Sequence, residues 1–116
     1  MITLTYPDDW PTDGRKVKRQ LYKFLEWLRN LHPGVEYLWF LEFQKRGAPH
    51  LHILTDKQPG YYGGTWTSFQ FAVAWQWYNI VGSNDHRHLL AGTRSERLRS
   101  PAVSYTHLRA HETKAN

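Results

Sequence analysis

"FLEFQKRGAPHLHILT", residues 40–55, sets two strand-like runs on either side of a short basic turn. Val35–Gln44 and Pro49–Asp56 are rich in β-branched, aromatic and aliphatic residues and flank Lys45-Arg46-Gly47. A three-residue hairpin loop is commonly a type I turn closed by a residue with positive φ. Gly47 can take that conformation at little cost. The resulting register pairs Gln44 with Ala48, Glu42 with His50, and Phe40 with His52. Because side chains alternate across a strand, His50 and His52 share one face. Glu42 then stands directly opposite His50, with Cβ atoms about 4.5–5.5 Å apart. His52 follows about 6.6 Å further along the strand. Trp39, Leu41, Phe43, Leu51 and Ile53 occupy the other face. That face is expected to take the helices and leave the Glu-His-His face accessible. A slip of one residue would destroy the pairing.

Outward from the hairpin, the chain supplies the rest of one small domain. Ile2, Leu4 and Tyr6 alternate with Thr3 and Thr5 and read as a strand ended by Pro7. "PDDWPTDG", residues 7–14, reads as loop. From Arg15 to His32, apolar residues at Val17, Leu21, Phe24, Leu25, Leu28 and Leu31 form a helical stripe, stopped by Pro33-Gly34. "DKQPGYYGGTWTS" is a Gly-rich loop. Phe69–Val81 reads as a second helix, with Thr67 or Ser68 as its N-cap and Gly82 just past its end. "GSNDHRH" reads as loop, which makes its His86 and His88 surface residues, and Thr93–Arg99 as a weak last strand. The order β-α-β-β-α-β predicts an α+β fold: an antiparallel sheet with helices on one face, ferredoxin-like.

Composition narrows the function classes. The 116 residues form a single core, and 41% hydrophobic with 16% aromatic content is not a disordered composition. Absence of Cys excludes disulfides and thiolate metal sites. No apolar run approaches a membrane span and no signal-peptide pattern is present. A net charge of +5 in an aromatic-rich small domain suggests an anionic partner, nucleic acid first.

Two imidazoles and a carboxylate without a thiolate suit a divalent ion with open coordination positions. Mg²⁺ or Mn²⁺ fits a phosphate substrate, and Zn²⁺ is the alternative. Such an ion acts as a Lewis acid on a phosphoryl oxygen. Its affinity should fall on acidification, because only neutral imidazoles ligate. The same residues also suit the polar outer face of a half-buried strand. The opposed Glu42 and the adjacent basic turn are what set this His-x-His apart from a lone one.

"ITLTYP" near the start and "LEFQKRGAPHLHIL" together resemble the HUH endonuclease superfamily, and within it the rolling-circle replication-associated (Rep) initiators of phages, plasmids and small single-stranded DNA replicons. The likeness spans about residues 2–101, with "AGTRSERLRSP" matching more loosely. It implies that Glu42, His50 and His52 are the metal ligands. It implies a nucleophilic Tyr on a later helix, attacking single-stranded origin DNA to give a 5′-phosphotyrosine and a free 3′ hydroxyl. Lys45 and Arg46 at the hairpin tip would hold phosphates, and Thr3, Thr5 and Tyr6 would line the DNA path. Aromatic residues at 61–66 are candidates for base stacking. The resemblance also implies the cytoplasm of a host cell and host replication proteins as partners. Alternatives are another HUH enzyme (a single-strand transposase or relaxase) or a non-catalytic nucleic-acid-binding module.

Residues 103–113, "VSYTHLRAHET", match letter for letter one reading frame of a transposase-type sequencing adapter. Residues 103–116 are therefore read as a non-native tail and 1–102 as a partial Rep-type domain. Removing the tail takes away Arg109, Lys114 and Glu112 and leaves the chain basic. Tyr105 is accordingly disfavoured as the nucleophile, and the expected Tyr-bearing helix would be missing.

Overall fold

A computed structural model describes residues 1–56 and 66–96, and from 66 to 68 the backbone only. The hairpin forms in the expected register. Strands β2 (Tyr37–Phe43) and β3 (Pro49–Thr55) pair antiparallel, with Phe40 opposite His52 and Glu42 opposite His50. At the turn, the Gln44 amide donates to the Ala48 carbonyl (2.9 Å) and the Gly47 amide to the Gln44 carbonyl (2.8 Å). Gly47 has φ +92°, the left-handed conformation the turn requires.

Strand β1 (Ile2–Thr5) lies against β3, and β4 (Thr93–Ser95) against the free side of β1. The sheet order is β2-β3-β1-β4, antiparallel throughout. Each crossover from a strand to its parallel successor is split by another strand, which is the ferredoxin-like arrangement expected from the element order. β4 is assigned only to Ser95, and the remainder of the expected Thr93–Arg99 strand from residue 97 onward lies outside the described residues.

Helix α1 (Gly14–Leu31) is capped by Asp13, whose carboxylate accepts from the Arg15 amide at 2.9 Å. It buries Val17, Leu21, Phe24, Leu25 and Leu28 against the sheet. Helix α2 (Trp66–Ile80) starts earlier than the spacing predicts, so Thr67 and Ser68 fall within it, and the chain turns at Gly82 with φ +67°. Trp77 is the hub of the core. Its indole stands edge-on to Tyr6 (5.3 Å) and Phe24 (6.2 Å), and its N–H donates to the Thr5 carbonyl at 2.8 Å.

Two expectations need correction. His86, Arg87 and His88, read as the end of a loop, open a helix instead: α3 (His86–Ala91) is capped by Asp85, which accepts from the Arg87 amide at 3.0 Å. A six-residue helix is too short to show apolar periodicity, so only its cap was readable. The Arg87 side chain and amide hold the half-buried Asp85 carboxyl below the usual carboxylate range. His88 is consequently buried rather than on the surface, with its ring nitrogen Nε2 donating to the same Thr5 carbonyl at 2.7 Å. Second, Phe43 is 69% exposed and does not pack under the helices. β2 is an edge strand, and between it and α1 runs a groove lined by Trp39, Leu41 and Phe43, whereas Leu51 and Ile53 of the inner strand β3 are fully covered.

Gly92, just past α3, explains how His88 reaches β1. A Cβ placed there would lie 2.4 Å from the His88 ring and 2.5 Å from its carbonyl oxygen. Gly92→Ala should therefore displace His88 and destabilise the domain by roughly 1–3 kcal/mol, read as a lower urea midpoint. An unchanged midpoint would show that α3 can shift freely.

Candidate metal site on the sheet face

The face of the sheet turned away from the helices carries Glu42, His50 and His52, with one ligand atom of each lying within 4.8 Å of the others. His52 Nε2 is 2.8 Å from Glu42 Oε1, and His50 Nδ1 is 3.5 Å from the same oxygen. The two imidazoles stand edge to face, with centroids 4.6 Å apart. The alternation of β2 and β3 puts all three on one face, and Gly47 fixes which residues oppose one another.

β1 completes the site. Thr3 pairs with His52 and Thr5 with His50. The Thr3 hydroxyl lies 3.3 Å from His52 Nδ1. A hydroxyl both donates and accepts, so it can partner His52 in either neutral tautomer. With Nε2 given to a ligand, Nδ1–H donates to Thr3, which fixes the ring's orientation. Phe40 stacks on the same imidazole, its centroid 4.7 Å away and its plane 17° from parallel. His52 is thus the most constrained of the three.

This face is less open than the sequence suggests. Phe40 and His52 are buried, while the Glu42 side chain is 41% exposed and that of His50 21%. Access to the triad is from the Glu42 and His50 side. The donor set fits a divalent cation: one carboxylate and two neutral imidazoles leave a bound M²⁺ with net positive charge, suited to an anionic ligand.

The structure divides the other predicted site residues. Thr5 lies on the triad face. Tyr6 does not: it is buried on the helix side, its hydroxyl donating to Gln20 Oε1 at 2.6 Å, and burial pushes its phenol above the ordinary range. Alternation requires this, since Tyr6 continues the inward series of Ile2 and Leu4. Lys45 is exposed at the turn. Arg46 reaches back to the end of β1, donating to the Tyr6 carbonyl (2.6 Å) and pairing with Asp8 (3.2 Å), with its guanidinium 4.9 Å from the Trp10 ring centroid. His86 and His88 are two apart on a helix and so point away from one another. The aromatic positions 61–66 and Tyr105 lie outside the described residues or side chains.

Sequence reasoning did not foresee the Thr3–His52 contact, which depends on the register of β1 against β3. Nor did it foresee the paired donation of Trp77 and His88 to Thr5.

The profile of the replication-associated protein family of the ORF2 and gene 2 protein type matches residues 1–105. The chain belongs to that family. No curated protein and no solved structure gives a significant match. The match includes the whole hairpin and all three members of the triad, and its description agrees with a replication initiator. Among the described residues, no helix of this family member is long and apolar enough to cross a membrane.

Arg46 ties the hairpin tip to the strand that supplies Thr3 and Thr5. Arg46→Ala should cost about 1.5–3 kcal/mol and speed hydrogen exchange at the Gly47 amide. Exchange unchanged from wild type would show that the turn holds itself.

Proposed function

We propose that the domain is the metal-binding part of a rolling-circle replication initiator that nicks single-stranded origin DNA. The observation that carries this is the convergence of Glu42, His50 and His52 on one sheet face in a member of a replication-associated family. Mg²⁺ or Mn²⁺ is the favoured ion, with Zn²⁺ the alternative. When bound, it supplies Lewis-acid polarisation of a phosphoryl oxygen. The chain's own part is positional. Thr3 and Phe40 fix the His52 ring, Glu42 supplies negative charge, and Lys45 offers a cation to the DNA backbone at the tip of the hairpin. Arg46 is largely engaged by Gln44, Pro7, Asp8 and Tyr6, which leaves one N–H for a phosphate contact. Thr5 lies where a strand would pass beside His50.

In the proposed reaction a tyrosine oxygen bonds to phosphorus and the bond to the 3′ oxygen breaks. The products are a 5′-phosphotyrosine and a free 3′ hydroxyl. We assign Tyr105 no part in this because it stands in the adapter-like stretch. This chain is accordingly expected to bind metal without efficient nicking, and a covalent DNA adduct on Tyr105 would reverse that assignment.

Mn²⁺ titration followed by thermal unfolding tests the metal reading. Saturation at about 100 times Kd should stabilise the wild type by about 2.7 kcal/mol, and His50→Ala and His52→Ala should abolish the shift. If neither Mg²⁺, Mn²⁺ nor Zn²⁺ moves the transition, the histidines are structural and the domain is a binding module.

A finer test addresses Thr3. Thr3→Val keeps the strand and removes the hydroxyl, so calorimetric Mn²⁺ affinity should fall about tenfold or more. Equal affinity would mean that the Phe40 stack alone orients His52.

A further inference from the structure

The helical layer presents a surface that the metal site does not use. On α2, Phe71 and Trp75 are 61% and 50% exposed, large values for aromatic side chains on a helix that packs a core. Their ring planes are 9° apart, with centroids separated by 6.5 Å. Trp75 continues to Tyr78 (6.1 Å, 25°), and Tyr78 to His88 of α3 (6.3 Å, 29°). These near-parallel rings follow one side of α2, which carries no charged residue.

Beside it, α1 has a different outer face. Arg15, Lys16, Arg19 and Lys23 are exposed on its outer side, while Lys18 lines the groove beside β2 and Arg29 donates to Tyr37 of β2; Glu26 is the helix's one acidic residue. α1 and α2 are neighbours, joined through Phe24 against Trp77. A basic stripe beside a row of flat aromatic side chains matches the chemistry of single-stranded nucleic acid: cations track the phosphates and rings stack on unpaired bases. Duplex DNA would use the cations but leave the rings without partners.

We propose that the outer surface of the helical layer is a second, metal-independent contact surface for single-stranded nucleic acid. Phe71, Trp75 and Tyr78 form its stacking platform and the α1 stripe its backbone track. It lies across the sheet from Glu42, His50 and His52, so a strand held here is distinct from one at the triad. The inference rests on surface chemistry and stands whether or not the metal reading does.

The test is fluorescence anisotropy of the full chain with a labelled oligothymidylate of about 20 nucleotides, longer than the ~4–16-nucleotide footprint of a single-strand-binding domain. EDTA is present throughout. The single strand should bind more tightly than a duplex of equal length. Trp75→Ala should weaken it at least about fivefold, with Trp75→Phe retaining most of the affinity. Arg19→Glu with Lys23→Glu should flatten the salt dependence. Thermal melts confirm that each variant folds, and the EDTA separates this surface from the metal site. The proposal is overturned if no DNA binds in EDTA, or if single strand and duplex bind alike with Trp75→Ala neutral. It is also overturned if Trp75→Ala leaves DNA binding intact and instead dissolves a dimer in sedimentation, which would make the ring row a protein interface.

Discussion

The left-handed residue at the hairpin tip governs the chemistry of the sheet. Gly47 closes a three-residue turn, and that turn decides that Glu42 faces His50. Since strand side chains alternate with period two, shifting the register by one would send the carboxylate to the opposite face from the imidazoles. The triad is a consequence of backbone conformation at one position five residues from Glu42. Arg46 reinforces the turn by anchoring it to the chain that leaves β1.

The two faces of the sheet divide the work. The helix-facing side is a continuous apolar core in which Ile2, Leu4, Leu51 and Ile53 meet α1 and α2. Within it the Tyr6 hydroxyl is satisfied locally, by Gln20. The other side holds the ligand atoms and the groups that orient them. Thr5 joins the two. Its backbone carbonyl accepts from Trp77 and His88, both delivered by helices, while its place in the strand lies opposite His50. The helical layer thus holds the end of the strand that borders the triad.

Much of this was legible because it is local. The hairpin turn, its register, the apolar stripe of α1 and the stop at Gly82 each depend on residues close together in sequence. What escaped depends on distance along the chain. The contact between Thr3 and His52 needs the pairing of β1 with β3, which no turn specifies. The position of Tyr6 was readable from alternation alone, which sets it with Ile2 and Leu4 on the helix side. Burial of His88 was hidden by a helix too short for periodicity, and the exposure of Phe43 by an edge strand whose coverage depends on where α1 settles.

Placing β1 in the interior of the sheet has a consequence for the order of assembly. β1 is made before β2, β3 and β4, but its partners are β3 and β4, and Ile2 pairs with both Ile53 and Ser95. The β2–β3 hairpin closes over a short loop and can form on the microsecond scale of isolated hairpins. β1 must wait for contacts that close most of the chain, the kind that slows folding. During synthesis, then, Glu42, His50 and His52 can be brought face to face while β1 still lacks its last neighbour. The ligand set is an early local structure, and the sheet that orients it is a late, long-range one.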